Sequence, residues 1–263
     1  MSEALLAVSD LRVERRHGAR APALVAGLSF ELPAGQALGI VGESGSGKSQ
    51  TALAILGLSD PALRVSGSIM FDNTELLDLS PQRWRALRGL QIGTVFQNPQ
   101  ASLNPYLRIG VQMSEVLEVH AGSSRREAEA ECLRMLDAVQ VADAPRRLRQ
   151  FPHELSGGLC QRVAIAMALV AQPHLLIADE PTTALDVTTQ AQLLDLLQSL
   201  RKSLNLSLLL ISHDLGVVAE LCDHVLVMRA GLMVEQGAAS RILEAPEQAY
   251  TRTLLAARLR PQA

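Results

Sequence analysis

Aromatic side chains are nearly missing: one Trp, two Tyr and four Phe make up 3% of 263 residues. Proteins that grip single-stranded nucleic acid do so largely on stacked rings, so this scarcity argues against such a platform. An excess of either charge is missing too. Twenty-four Lys and Arg against 27 Asp and Glu leave a net charge of −3, with no basic footprint for a nucleic-acid partner. Long apolar runs are absent. The longest, Val163 to Ala171 and Leu208 to Ile211, fall far short of the roughly 20 residues a membrane-spanning helix needs. The opening MSEALLAVSDLRVERRHG lacks the charged-then-apolar order of a signal peptide. Only three cysteines occur, Cys132, Cys160 and Cys222. Their wide spacing fits neither a disulfide framework nor a metal knuckle, and the expectation is buried or helix-surface thiols in a cytosolic protein.

What is present is an ordinary apolar share, 48%, enough for one large domain with a subdomain. To about Pro33 the chain reads as short strands. Gln36 to Val41 is a buried strand running into a glycine loop, with a helix from Lys48. A strand pair around Gly67 to Asp72 and a strand at Ile92 to Phe96 follow. From Asn98 to about Phe151 the pattern turns helical. Ser124 and Glu127 have capping-box spacing, and Ala128, Cys132, Leu133, Leu136 and Val139 form an apolar stripe. Then come a helix at Gln161 to Val170, a strand at Leu175 to Ala178, a helix at Thr188 to Leu204 and a strand at Ser207 to Ile211. Alternating strands and helices predict an α/β fold whose mostly parallel sheet is covered on both faces. The expected division is a β subdomain with the loop-bearing core over 1–97, a helical subdomain over 98–155, the resumed core over 156–240 and a helical tail over 241–263.

Gly42-x-x-x-x-Gly47-Lys48-Ser49 is a P-loop. Its glycines permit positive φ, so backbone N–H groups of Gly42, Glu43, Ser44, Gly45, Ser46, Gly47, Lys48, Ser49 and Gln50 can turn toward phosphates. Lys48 would neutralise phosphate charge, Ser49 would bind Mg²⁺, and the helix N-terminus adds partial positive charge. Asp179 and Glu180 follow an apolar strand, and open α/β sheets bind ligands beyond the carboxyl ends of their strands. Asp179 is therefore expected to face Mg²⁺ and Glu180 to polarise the attacking water. His213 ends another strand and is a candidate γ-phosphate contact, whereas His17, His120, His153, His174 and His224 are read as structural. Gln97, just past IGTVF, has the same strand-end position and could sense both metal and water.

Leu155-Ser156-Gly157-Gly158 heads a helix and makes a second anion-binding N-terminus. One chain with one P-loop needs no second cradle for one ATP. Two chains arranged head-to-tail explain it, each presenting this helix to its partner's nucleotide, with Asp186 along the same interface.

This ordered set of P-loop, Gln97, LSGG, DEPT, ALD and SHD resembles the nucleotide-binding subunit of an ABC transporter over nearly the whole chain. The resemblance implies a RecA-like P-loop core with an antiparallel β subdomain and a helical insert. It implies hydrolysis of ATP with Mg²⁺ in a sandwich dimer on the cytoplasmic face of the membrane. Its partners would be two permease subunits, docking beside the Gln97 hinge, and an extracytoplasmic solute-binding protein. FQNPQASLNPYLRIGVQMSEVL, FPHELSGG and ILEAPEQAYTRTLLAA are similar to the oligopeptide, dipeptide and nickel importer branch, whose ATPases usually come as two different subunits. Leu159 stands where most members carry glutamine and the first subunit of the pair methionine. Leucine there resembles that first subunit, and the short tail after QAYT resembles the nickel members, so nickel or a nickel chelate is the expected solute and short peptides the alternative. The aromatic that usually stacks on adenine is missing, leaving Arg15, Arg16 or His17 as planar substitutes or as solvated loop charges. A soluble cassette acting on DNA or ribosomes would call for a coiled coil, a second cassette or a basic patch. A small-molecule kinase leaves LSGG and His213 without a purpose.

Overall fold

The computed structural model describes residues 4–16, 22–98, 102–183 and 185–258. His17 lies outside them. The chain divides into two compact units, Met1–Ser80 with Ser207–Ala263, and Pro81–Leu206.

The first unit opens with the two expected strands, β1 (Ala4–Arg15) and β2 (Val25–Pro33), paired antiparallel with register shifts along the pair. The buried strand β3 (Ala37–Val41) leads through the glycine loop into α1 (Lys48–Ile55). β4 (Leu63–Phe71) lies on the other side of β1 and turns at Asp72 and Asn73, both at positive φ, into the short β5 (Thr74–Glu75). Asp and Asn tolerate that conformation. The resulting antiparallel sheet has the order β2-β1-β4-β5.

The second unit begins with α2 (Pro81–Leu87) and β6 (Ile92–Val95). Helices follow: α3 (Ile109–Val116), extended by a π-helical turn at Leu117–Ala121, then α4 (Arg125–Ala138) and the single turn α5 (Ala144–Arg147). The expected capping box starts α4. Ser124 Oγ accepts from Glu127 N–H, and the Glu127 carboxylate accepts from Ser124 N–H at 2.9 Å. The apolar stripe needs one correction. Met135 is fully buried beside Ala128, Cys132, Leu136 and Val139, while Leu133 is only half-buried. Positions 132, 135, 136 and 139 follow the i, i+3, i+4, i+7 pattern, and 133 falls on its flank. Burial, reinforced by Glu131, Glu129 and Glu118, pushes the Cys132 thiol up to about 12. All three cysteines are buried.

The helix expected from Gln161 starts four residues earlier, as α6 (Gly157–Leu169), with Ser156 as N-cap. The two glycines are its first turn rather than a preceding loop. The cap hydroxyl overrides their low helix propensity by accepting an otherwise orphaned N–H. β7 (Leu175–Asp179) pairs parallel with β6, Ile92 opposite Leu175 and Val95 opposite Ala178. α7 (Val187–Leu204) completes the unit.

The chain then re-enters the first unit as β8 (Ser207–Ser212), α8 (Leu215–Leu221), β9 (His224–Arg229) and β10 (Leu232–Ala238), ending in α9 (Ala239–Glu244) and α10 (Ala249–Arg258). Here the strand order is β10-β9-β3-β8, with β3 parallel to both neighbours. Every residue of β3 and β8 is buried, which explains the apolar run Leu208–Ile211 between the two serines of β8. Each buried Leu, Ile or Val side chain there contributes about 1.5–3 kcal/mol. Among the described residues, no helix is long and apolar enough to cross a membrane.

Candidate nucleotide site

The phosphate loop lies wholly in the first unit. β3 delivers the chain to Gly42, and the loop closes onto α1 through Gly47, whose φ is 104°. A Cβ on Gly47 would stand 2.4 Å from the Leu24 carbonyl oxygen, so both conformation and space demand glycine. The Lys48 ammonium, on a side chain buried to 4% exposure, donates to the carbonyls of Gly42 at 2.8 Å and Glu43 at 2.9 Å. Those bonds hold a buried cation at the loop that it is expected to serve. Ser46 Oγ and Gln50 Oε1 are buried with no hydrogen-bond partner. The Ser46 hydroxyl can donate to an anion, whereas Gln50 Oε1 can only accept; the orphaned hydroxyl inside a glycine cradle fits a nucleotide phosphate. Glu43, Ser44, Gly45 and Ser49 are exposed along the loop. Ser212 at the end of β8 pairs with Val41, so His213, exposed, follows the same sheet end as Gly42. Asp214 N-caps α8 through its bond to Gly216 N–H at 2.7 Å.

The second unit assembles the carboxylates. Asp179 is the last residue of β7 and Glu180 the first beyond it, both half-buried. Gln97 lies two residues beyond β6, the strand paired with β7, and its Nε2 donates to the Glu180 carboxylate at 3.0 Å. Glu180 adopts a left-handed φ of 49°, uncommon for a residue with a side chain. Thr183 secures it twice: its N–H donates to the Glu180 carbonyl at 3.1 Å, and its hydroxyl to the same carboxylate at 2.9 Å. Thr183 belongs to the site and the sequence reading missed it. The signal was there, in the second threonine of DEPTT three residues past the glutamate.

The LSGG helix and the ALD segment also meet within this unit. Ser156 Oγ accepts from Leu159 N–H at 3.4 Å. A Cβ on Gly158 would contact Thr189 Cγ2 at 3.5 Å. Asp186 caps α7, accepting from Thr189 N–H at 3.0 Å and from its hydroxyl at 2.6 Å. Those bonds hold its carboxyl below the usual range. Ser156, Gly157 and Asp186 are exposed and Gly158 half-buried, so the two helix starts offer N–H groups and one carboxylate to solvent. Of the two arginines proposed near adenine, Arg16 is anchored through its Nε, which donates to the Leu63 carbonyl at 3.0 Å. Arg15 is exposed at the end of β1.

A glycine cradle on α1, a strand-end Asp-Glu pair and a serine-capped glycine helix define an ATP-binding cassette, an α/β P-loop NTPase. The comparisons with known proteins agree. The ABC transporter family model matches residues 25–183, and the chain belongs to that family as the ATP-hydrolysing subunit of an importer. It is 51% identical over 251 residues to the oligopeptide transport ATP-binding protein OppD of Salmonella typhimurium, covering 95% of this chain and 75% of the relative. A putative peptide import ATP-binding protein of Brucella abortus is 47% identical, with 96% of this chain and 76% of that relative covered. The dimeric, post-hydrolysis structure of the cassette MJ0796 bound to ADP and Pi superposes with a TM-score of 0.78 at 26% identity, covering 89% and 98% of the two chains.

Proposed function

We propose that the chain is one of the paired ATPases that drive import of short peptides. The observation that carries this reading is its 47–51% identity, along nearly its full length, to proteins named for oligopeptide transport and peptide import. This reverses the order expected from the sequence, where Leu159 and the short tail favoured nickel. Leu159 sits in the first turn of α6 and touches no solute, so it carries no weight for the cargo.

In this reading Lys48 and the loop amides hold the β- and γ-phosphates, and His213 contacts the γ-phosphate. Ser49, Gln97 and Asp179 would hold Mg²⁺, which when bound neutralises phosphate charge. Glu180 accepts a proton from the attacking water, with Gln97 and Thr183 fixing the carboxylate's direction. Arg15, Arg16 or His17 would supply the planar group for adenine. Ser156, Gly157, Gly158 and Asp186 face the nucleotide of a second, paralogous ATPase. The dimer of the structurally similar cassette supports the pairing of two cassettes, whether the second is a paralogous chain or another copy of this one. Two permeases hold this chain at the inner face of the membrane, and an extracytoplasmic solute-binding protein completes the assembly on the other side. A cleft of about 610 Å³ in the helical unit, lined by Arg108, Val111, Glu118 and Arg149 among others, suits a permease helix.

The test is uptake of a labelled dipeptide and of labelled nickel by cells carrying wild-type chain or Lys48→Ala. Loss of dipeptide uptake alone is expected. Loss of nickel uptake alone would return the cargo to the metal, and no loss of either would remove this chain from both pathways.

A further inference from the structure

The helix α10, which the catalytic reading leaves without a role, reaches the phosphate loop. The Glu43 N–H donates to Tyr250 Oη at 3.3 Å. That N–H belongs to the same peptide group as the Gly42 carbonyl, which accepts from the Lys48 ammonium at 2.8 Å. A trans peptide is planar, with its C=O and N–H pointing in opposite directions. A phenol on one side therefore fixes the direction of the carbonyl holding the lysine on the other.

Tyr250 is itself held in place. The Arg229 guanidinium lies over its ring, 4.8 Å from the centroid. The entry to α10 is pinned by Glu235, a carboxylate with 8% exposure, which accepts from Glu247 N–H at 2.7 Å and Gln248 N–H at 3.1 Å. The adjacent Thr251 is fully buried. β9 and β10 press on the loop as well: Gly231 N–H donates to the Ser46 carbonyl at 3.0 Å, and a Cβ on Gly42 would stand 2.2 Å from the Met228 carbonyl oxygen. The loop is thus gripped on its outer side by strands and by one phenol carried on a tail helix.

We infer that Tyr250 is a positioning residue for Lys48, setting nucleotide affinity by orienting the Gly42–Glu43 peptide from α10. The inference rests on Gly42–Ser49 being the phosphate cradle. The experiment measures binding of ADP and of a fluorescent ATP analogue to the full chain carrying Tyr250→Phe, Lys48→Ala or both, with melting temperatures alongside. Tyr250→Phe keeps the ring and its contact with Arg229 and removes the hydroxyl, which accepts from Glu43 N–H and also bonds the Glu43 side chain. Affinity should fall about two- to tenfold, the range for one lost hydrogen bond, with the melting temperature unchanged. On the Lys48→Ala background the same substitution should have no further effect, the coupling that a double-mutant cycle isolates. Arg229→Gln, which loosens the ring and spares the hydroxyl, should give a smaller loss that also disappears without Lys48. Unchanged affinity in Tyr250→Phe, or an equal loss with and without Lys48, overturns the inference. Full affinity in Lys48→Ala would instead overturn the cradle reading itself.

Discussion

The two ends of the proposed chemistry handle left-handed backbone in opposite ways. In the phosphate loop the positions at positive φ are Gly42, Gly45 and Gly47, residues without a Cβ, so the cradle is formed with little strain. At the carboxylate end the left-handed residue is Glu180, which cannot be glycine because its side chain is the reactive group. That conformation costs on the order of 1 kcal/mol. Thr183 and Gln97 offset it with three hydrogen bonds, two of them to the carboxylate itself. A loop that only has to present N–H groups can be built from glycine. A loop that has to present a base must hold a strained residue with its neighbours.

That contrast can be broken most severely at Glu180. Glu180→Gln is expected to lower ATP turnover by about 10²- to 10⁴-fold, the usual contribution of a general base, while ATP stays bound. Normal turnover in single-cycle kinetics would remove Glu180 as the base. Glu180→Gly should be equally inactive yet at least as stable as wild type in urea unfolding, since relief of the backbone strain returns about 1 kcal/mol. A clear drop in stability would show that the two bonds to the carboxylate outweigh the strain.

Next in size is Gly47→Ala. The added methyl meets the Leu24 carbonyl in a conformation that alanine resists. A loss of about 1–3 kcal/mol in unfolding stability and of measurable nucleotide binding is expected. Unaltered calorimetric titrations would mean that the loop tolerates another shape. The smallest effect belongs to Thr183→Val, which removes one hydroxyl from Glu180 and keeps the volume. Turnover should fall roughly three- to tenfold with ATP affinity unchanged, and a change in affinity alone would place Thr183 on the binding side of the contrast.

Much of this was legible before any coordinates. The P-loop, the strand-end Asp179 and Glu180, and the capping box at Ser124 are local patterns, each written within a few adjacent residues. The extent of α6 was not, because two glycines argue against a helix until the Ser156 cap is counted. Nor was Met135, since a stripe read by eye admits either 133 or 135 until α4 is packed. The cargo was misordered for a different reason: residues that contact only nucleotide hold no chemistry of the solute.

By itself the sequence determined the class of machine, because phosphate cradling and strand-end carboxylates depend on residue types at short, fixed spacings. It also determined that β3 and the apolar stretch Leu208–Ile211 of β8 are buried, since a continuous apolar run cannot leave one face in water. What the tertiary structure decided are the pairings over long separations. Gln97 meets Glu180 across 83 residues of chain, and Tyr250 meets Glu43 across 207. Neither partner's local sequence encodes the other, because such contacts arise only where packed strands and helices bring their ends together.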